Sequence, residues 1–203
     1  MTPEAVTAIA SVLTTLVIGA TAVAAVVQLR HMRAGNAIEA ILSFRSMLDD
    51  EEHRRATNLL RGGALNRALA DPGFRRYVYR ISKRLPPGDV PAEFPELHQA
   101  AIAIGNGFEL IGGMVRNHVV PTHMFLQNYW WVVDNSWTMM QRYVALMREY
   151  SGSDGLFEDF EYLTVASRKW AQQHPNSYAP GVARIANANI YPLAQESWLL
   201  EPE

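Results

Sequence analysis

The N-terminal part of this chain of 203 residues contains one long run without charged side chains. Between Glu4 and Arg30 there are 25 consecutive uncharged residues, and residues 5–27 are almost entirely Ala, Val, Ile, Leu and Thr. An α-helix rises about 1.5 Å per residue, so roughly 20 apolar residues cross the hydrocarbon core of a bilayer. The run therefore predicts a membrane-spanning helix, with the lipid bilayer as its partner.

Two other kinds of protein segment also contain long apolar runs. A cleaved signal peptide has a basic segment before a shorter apolar stretch, whereas this chain begins Met-Thr-Pro-Glu. A buried helix of a soluble protein is also apolar on all sides, but it is usually shorter. The length of the run and the acidic residue before it favour the transmembrane helix.

The basic residues near the run stand on one side of it. Arg30, His31 and Arg33 follow the run, and no Lys or Arg precedes it. Because positively charged flanks remain in the cytoplasm, the N-terminus is predicted outside and the C-terminal domain inside.

Three small residues within the run repeat at intervals of four. Ser11, Thr15 and Gly19 share one face of the helix, and small residues at this spacing let two helices approach closely. They are a candidate helix-dimer face and predict a homo-oligomer. The alternative is that the hydroxyls bond back to carbonyls of their own helix.

The charges are distributed unevenly. Residues 30–84 contain 12 Lys or Arg and 6 Asp or Glu, whereas residues 85–203 contain 6 and 13. The basic half follows the predicted span and could contact anionic lipid headgroups, or the two halves could pack against each other. A net charge of −2 disfavours nucleic acid as a partner.

The remainder of the chain has the periodicity of helices. Three seams of apolar residues recur at steps of three and four: Leu97, Ala101, Ile104, Phe108, Ile111 and Val115; Leu126, Trp130, Val133, Trp137, Met140, Val144 and Met147; Leu156, Phe160, Leu163 and Trp170. Such seams are typical of a bundle, and no segment alternates as a strand does. The predicted fold is all-α, an N-terminal transmembrane helix followed by a helical bundle.

Prolines and glycines divide the chain into four predicted parts. Residues 1–33 form the membrane anchor and its basic collar, and residues 34–85 form juxtamembrane helices. Four prolines between residues 86 and 95 precede a three-helix core at residues 96–174. An irregular tail at residues 175–203 ends the chain.

The motifs of common enzymes are missing from the sequence. The chain has no Cys, no pair of His four residues apart, no phosphate-binding glycine loop and no nucleophile elbow. We therefore predict no catalytic residues, no metal and no cofactor, and a non-enzymatic role is favoured.

A glycine-rich stretch at residues 105–113 is unusual for a helix interior, because each Gly costs about 1 kcal/mol relative to Ala. Gly105 and Gly112 lie on one face, which could line a ligand pocket or receive Trp130 or Trp137 from the next helix. The candidate interaction or pocket residues are Gly105, Phe108, Glu109, Gly112, Arg116, His118 and Trp137.

The same stretch resembles a known family. Asn106-Gly107-Phe108-Glu109-Leu110-Ile111-Gly112, then Val115-Arg116, Trp137, Arg148 and Phe157-Glu158-Asp159-Phe160-Glu161 resemble a bacterial family known as a domain of unknown function. Its members have one N-terminal membrane helix and a helical cytoplasmic part. The resemblance implies a single-pass protein of the bacterial inner membrane and supplies no active residues.

Two functional hypotheses follow. The first is a membrane-anchored interaction or scaffold module that self-associates and presents its bundle to an unknown protein partner. The alternative is a small-ligand receptor or enzyme with a pocket near Gly105–Gly113.

Overall fold

The computed structural model describes residues 2–175, and within residues 4–10 it describes the backbone only. Helices α1 (Pro3–Asp49), α2 (Glu51–Leu60), α3 (Ala64–Ala70), α4 (Pro72–Ser82), α5 (Glu93–Arg116), α6 (Thr122–Ser151) and α7 (Glu158–Gln173) follow in order, with a 3₁₀ turn at Arg61–Gly63. The described residues contain no strand, so the predicted all-α class is confirmed. The predicted tail lies, from residue 176 onward, outside the described residues.

Helix α1 continues without a break from the apolar run into the bundle. The sequence left open whether a second helix restarts near Ala37, and the structure shows one helix as far as Asp49. All side chains between residues 11 and 36 are exposed, whereas Ala37 and Phe44 are 2% and 4% exposed. A buried helix of a soluble protein is therefore the wrong interpretation of the described part of the run.

Local signals in the sequence set the ends of the next helices. The Asp50 carboxylate accepts from the N–H groups of Glu52 and His53 at the start of α2. Asp71 caps α4 in the same way, with Pro72 in the first helical position. Gly62 and Gly63 adopt positive φ angles of 71° and 79° between α2 and α3, a conformation that glycine adopts without steric cost.

Helix α5 is central to the core, and its predicted seam is buried from Leu97 to Val115. The seams of α6 and α7 are buried or half-buried as well. In the C-terminal half of α5, the Phe44 ring of α1 packs edge-on against Phe108, with ring centroids 5.7 Å apart. At the N-terminal end of α5, Phe74 of α4 packs against Phe94 at 5.3 Å. The proline-rich loop at residues 86–95 thus joins helices that share one core.

A polar pair lies within this core. The Tyr143 hydroxyl and His98 Nδ1 are 2.7 Å apart, and both side chains are buried. Burial lowers the pKa of His98 and raises that of Tyr143 well above its usual value. The neutral imidazole is therefore favoured at pH 7. In the tautomer protonated on Nε2, the Tyr143 hydroxyl donates its hydrogen bond to His98 Nδ1.

We predict that the folded chain loses stability as the pH falls below about 6.5, the ordinary pKa of His. Burial lowers the pKa of both His53 and His98 in the folded state. The unfolded chain therefore binds more protons in this range and is favoured as the pH falls. Urea unfolding in mild detergent at pH 7.5 and 5.5, followed by tryptophan fluorescence, measures the effect. His98→Gln keeps an acceptor for Tyr143 but does not titrate, so the stability change should shrink; an unchanged pH dependence would contradict the assignment to His98.

Candidate functional site

The residues that the sequence singled out on α5 face the beginning of α7. We call Gly105, Phe108, Glu109, Gly112 and Arg116 the α7 cradle, because each of them contacts or makes room for residues 157–160. The two segments are about 45 residues apart in the sequence and contain most of the motif that suggested a family.

Glu109 supplies the cap that α7 cannot make for itself. The first N–H groups of a helix have no partner within it and are usually capped by an oxygen of the preceding side chain. Phe157 precedes α7 and has no such oxygen. One carboxylate oxygen of Glu109 instead accepts from the backbone N–H of Phe160 at 2.9 Å. A negative charge at this position is also favoured by the helix dipole.

The glycines allow α7 to approach α5 closely. A Cβ at Gly105 would lie 2.6 Å from the Phe157 ring, and a Cβ at Gly112 would overlap the backbone carbonyl of Asp159. The expectation that this face receives Trp130 or Trp137 of α6 is wrong. The start of α7 occupies this face instead. The Phe157 ring lies against Gly105, and the backbone of Asp159 lies against Gly112.

Phe157 has an unusual backbone conformation. Its φ angle is +58°, in the left-handed region that costs a residue with a side chain on the order of 1–3 kcal/mol. The side chain is nevertheless only 3% exposed. Burial of the ring against Gly105 offsets that cost, since a buried Phe contributes about 1.5–3 kcal/mol.

Aromatic rings close the cradle from two sides. Phe108 stacks on Phe160 with centroids 4.7 Å apart and planes at 13°. The Trp137 ring of α6 meets the same Phe160 edge-on at 5.1 Å. Phe160 is completely buried, so it fixes α7 against both α5 and α6.

Two arginines balance the acidic first turn of α7. Arg116 Nη1 lies 2.6 Å from Glu158 Oε1 and 2.9 Å from Asp159 Oδ1, and these hydrogen bonds raise the pKa of its guanidinium. Arg148 of α6 donates from Nε to the Leu156 carbonyl at 2.8 Å and pairs with Glu161 at 2.7 Å. The carboxylates in the first turn of α7 are thus held next to guanidinium groups.

His118 and the candidate dimer face lie away from the cradle. His118 is exposed in the turn after α5, with a φ angle of +59°. In α1, the Thr15 hydroxyl donates to the Ser11 carbonyl at 2.9 Å, and a Cβ at Gly19 would meet nothing within 4 Å.

The polar groups of the cradle are already bonded to the chain itself. Glu109 caps α7, and Arg116 pairs with two carboxylates. Among residues 2–175, no three His, Asp or Glu side chains are grouped in a way that could hold a metal ion. The arrangement can therefore position a helix.

Three open grooves among the described residues are large enough for a small ligand, and one of about 520 Å³ is lined by side chains of both charges: Glu51, Arg54, Arg55, Asn58, Leu59 and Glu96. The other two are more apolar. One, of about 440 Å³, lies between α1 and α5 and is lined by Asn36, Glu39, Ala40, Ser43, Phe44, Met47, Gly107, Leu110, Ile111, Met114 and Val119. It adjoins the glycine-rich stretch but does not include Glu109, Arg116 or His118. Another, of about 510 Å³, lies between α2 and α6. No pattern in the sequence predicted the groove between α2 and α6, because its lining comes from segments about 70 residues apart.

Gly112→Ala should destabilise the chain by about 2–3 kcal/mol, because the methyl group would overlap a backbone carbonyl that cannot turn away. Gly113→Ala is the matched control, since its Cβ would meet only the Asp159 carboxylate, at 3.0 Å. That variant should be neutral or up to about 1 kcal/mol more stable, as Ala favours a helix. Urea unfolding followed by tryptophan fluorescence compares the two; equal stability would show that α7 does not approach Gly112 in this way.

Glu109→Ala should cost about 1–2 kcal/mol of stability, the usual value of a helix cap. Glu149→Ala removes an exposed carboxylate from α6 and should change stability by less than about 0.5 kcal/mol. Hydrogen exchange of the Phe160 amide gives a local measurement, and it should accelerate only in the first variant. Unchanged protection of Phe160 would rule out the cap.

Comparison with known proteins identifies the family of this chain. A family model described as Domain of unknown function (DUF4760) matches residues 15–170, from the middle of the apolar run to the end of α7. Searches of the curated proteins and of the solved structures found no match. Because the family model covers most of the chain, the protein belongs to the DUF4760 family.

Proposed function

We propose that this chain is a single-pass protein of the bacterial inner membrane, in which one rigid helix anchors a helical interaction module. The observation that carries the proposal is the continuity of α1. Its exposed part contains the apolar run, and its last part, from Ala37, belongs to the core of the bundle. The orientation of the bundle therefore follows that of the helix.

The exposed apolar surface of α1 supports the membrane anchor. The helix is long and apolar enough to cross a bilayer, and none of its most apolar segment is buried within the chain. Leu16, Val17 and Ile18 are each more than 60% exposed. Removing apolar surface from water contributes about 25 cal/mol per Å², so a span of this kind gains most when lipid surrounds it.

The charged flanks support an outside N-terminus and a cytoplasmic bundle. Arg30 and Arg33 lie within two turns of the end of the run. Three further basic residues, Arg75, Arg76 and Arg80, lie on α4. That helix packs near Phe94, whereas α1 packs near Phe108. These two positions on α5 are about 20 Å apart. Contact with anionic headgroups is therefore proposed for the collar after the span and not for α4.

Self-association through Ser11, Thr15 and Gly19 is part of the proposal, with one geometric condition. Gly19 and Ala37 are 18 residues apart, or five turns of a straight helix, and so lie on the same face. A partner helix that packs on this face would, further along α1, meet the bundle that covers Ala37. The two α1 helices of a dimer must therefore cross and separate between Gly19 and Ala37.

The interaction module is preferred to an enzyme because the motif residues are bonded to one another. Glu109, Arg116 and Phe108 position α7, and they leave the outer faces of the bundle for an unidentified protein partner. The alternative, a small-ligand receptor or enzyme with a pocket near Gly105–Gly113, is favoured by the groove beside Gly107.

Cysteine labelling tests the anchor and its orientation, and the absence of native Cys gives a clean background. We predict that Thr2→Cys reacts with a membrane-impermeant maleimide in intact spheroplasts. Asp154→Cys, in an exposed loop of the bundle, should react only after the membrane is permeabilised. The cysteine-free chain is the control.

Both variants should sediment with membranes and resist extraction by carbonate. The opposite labelling pattern would overturn the orientation, and recovery of the chain in the soluble fraction would overturn the anchor.

A further inference from the structure

The groove between α2 and α6 has a lining unlike that of the groove between α1 and α5. Its charged side chains are Arg54 and Arg61, and no carboxylate lines it. Arg54 also lines the adjoining groove that contains Glu51 and Glu96, but it pairs with neither of them. Among the described residues neither arginine forms an ion pair. Two guanidinium groups that share a concave surface without a counter-ion favour an anion there.

An aromatic surface stands beside these charges. Trp131 lines the groove and is 55% exposed, whereas Trp137, two turns further along α6, is buried. An exposed Trp offers a flat apolar face and an N–H donor. Leu48, Val132 and Met139 extend the apolar part of the lining.

The remaining lining is neutral and polar. Asn58 and Asn135 make no side-chain hydrogen bond within the described part of the chain, so their amides are available to a ligand. His53 forms part of the wall and packs against Phe108 of the core at 6.5 Å. Burial lowers its pKa, although Asp50 offsets part of that change. The groove thus combines two permanent cations, one aromatic face and neutral hydrogen-bonding groups.

We propose that this groove binds a small organic anion in which a phosphate or carboxylate is attached to a planar aromatic group. The anionic group pairs with Arg54 and Arg61, and the ring stacks on Trp131. A volume of about 510 Å³ is within the usual range for small-molecule sites. Binding of such an anion does not require the membrane anchor, so it can be tested separately. Only the preference for a dissolved ligand over a lipid headgroup rests on the anchor.

A dissolved ligand fits this position better than a lipid headgroup. Leu48, at the edge of the groove, is 21 residues beyond Val27 in one continuous helix. At about 1.5 Å per residue, the groove lies some 30 Å along α1 from the end of the apolar run. A headgroup at the bilayer surface does not extend that far.

Isothermal titration of the full chain in dodecyl maltoside tests the proposal, with 1-naphthyl phosphate as the probe. Inorganic phosphate and 1-naphthol represent its two halves, and titrations into detergent buffer are subtracted. We expect 1-naphthyl phosphate to bind at least tenfold more tightly than either half. Equal affinity for inorganic phosphate would overturn the aromatic part of the proposal, and no binding of 1-naphthyl phosphate at millimolar concentration would overturn it entirely.

Matched variants assign the binding to this groove. The double variant Arg54→Gln, Arg61→Gln should bind 1-naphthyl phosphate at least tenfold more weakly. Trp131→Ala should lower the affinity about fivefold, as expected for the loss of one aromatic contact. Arg55→Gln with Arg76→Gln removes the same charge from exposed positions outside the groove and should leave the affinity unchanged. All these side chains are exposed, and circular dichroism checks that each variant is folded.

Two results would overturn the assignment. Equal weakening by both arginine pairs would show a general effect of charge. Displacement of the probe by phosphatidylglycerol added to the detergent micelles would show a headgroup surface in place of a site for a dissolved ligand, provided that the displacement is absent from the Arg54→Gln, Arg61→Gln variant.

Discussion

The fold depends on how the first turn of α7 is held. Phe157, which precedes the helix, cannot cap it and has a left-handed backbone. The Glu109 carboxylate of α5 supplies the missing acceptor, and Gly105 and Gly112 leave room for residues 157–159. Arg116 and Arg148 then neutralise the acidic turn. The family motif is therefore best explained as the means by which α7 closes the bundle.

The same bundle gives α1 its unusual role. A single helix of 47 residues rises about 70 Å, and only its last third contacts the core. Phe44 is the main contact, with the rings of Phe108, Phe125 and Tyr129 around it. Because no loop separates the apolar run from this contact, a rotation or tilt of the run would be transmitted to the bundle.

The two more apolar grooves differ in chemistry although both lie on the surface of one bundle. The groove beside Gly107 is mostly apolar and follows α1 toward the apolar run. The groove between α2 and α6 carries unpaired arginines beside Trp131. Neither groove includes the cradle residues Gly105, Phe108, Glu109, Gly112 and Arg116. The motif residues Gly107, Leu110 and Ile111, however, line the groove between α1 and α5.

The sequence by itself determined the helices, their seams and the length of the apolar run. These features depend on local periodicity and on caps such as Asp71, which act within a few residues. Only the tertiary structure decided that the glycine face receives α7 and not Trp130 or Trp137, that Glu109 is a cap, and that Arg54 and Arg61 share a groove. Such contacts join residues that are far apart in the chain, and their identity depends on which helix approaches which.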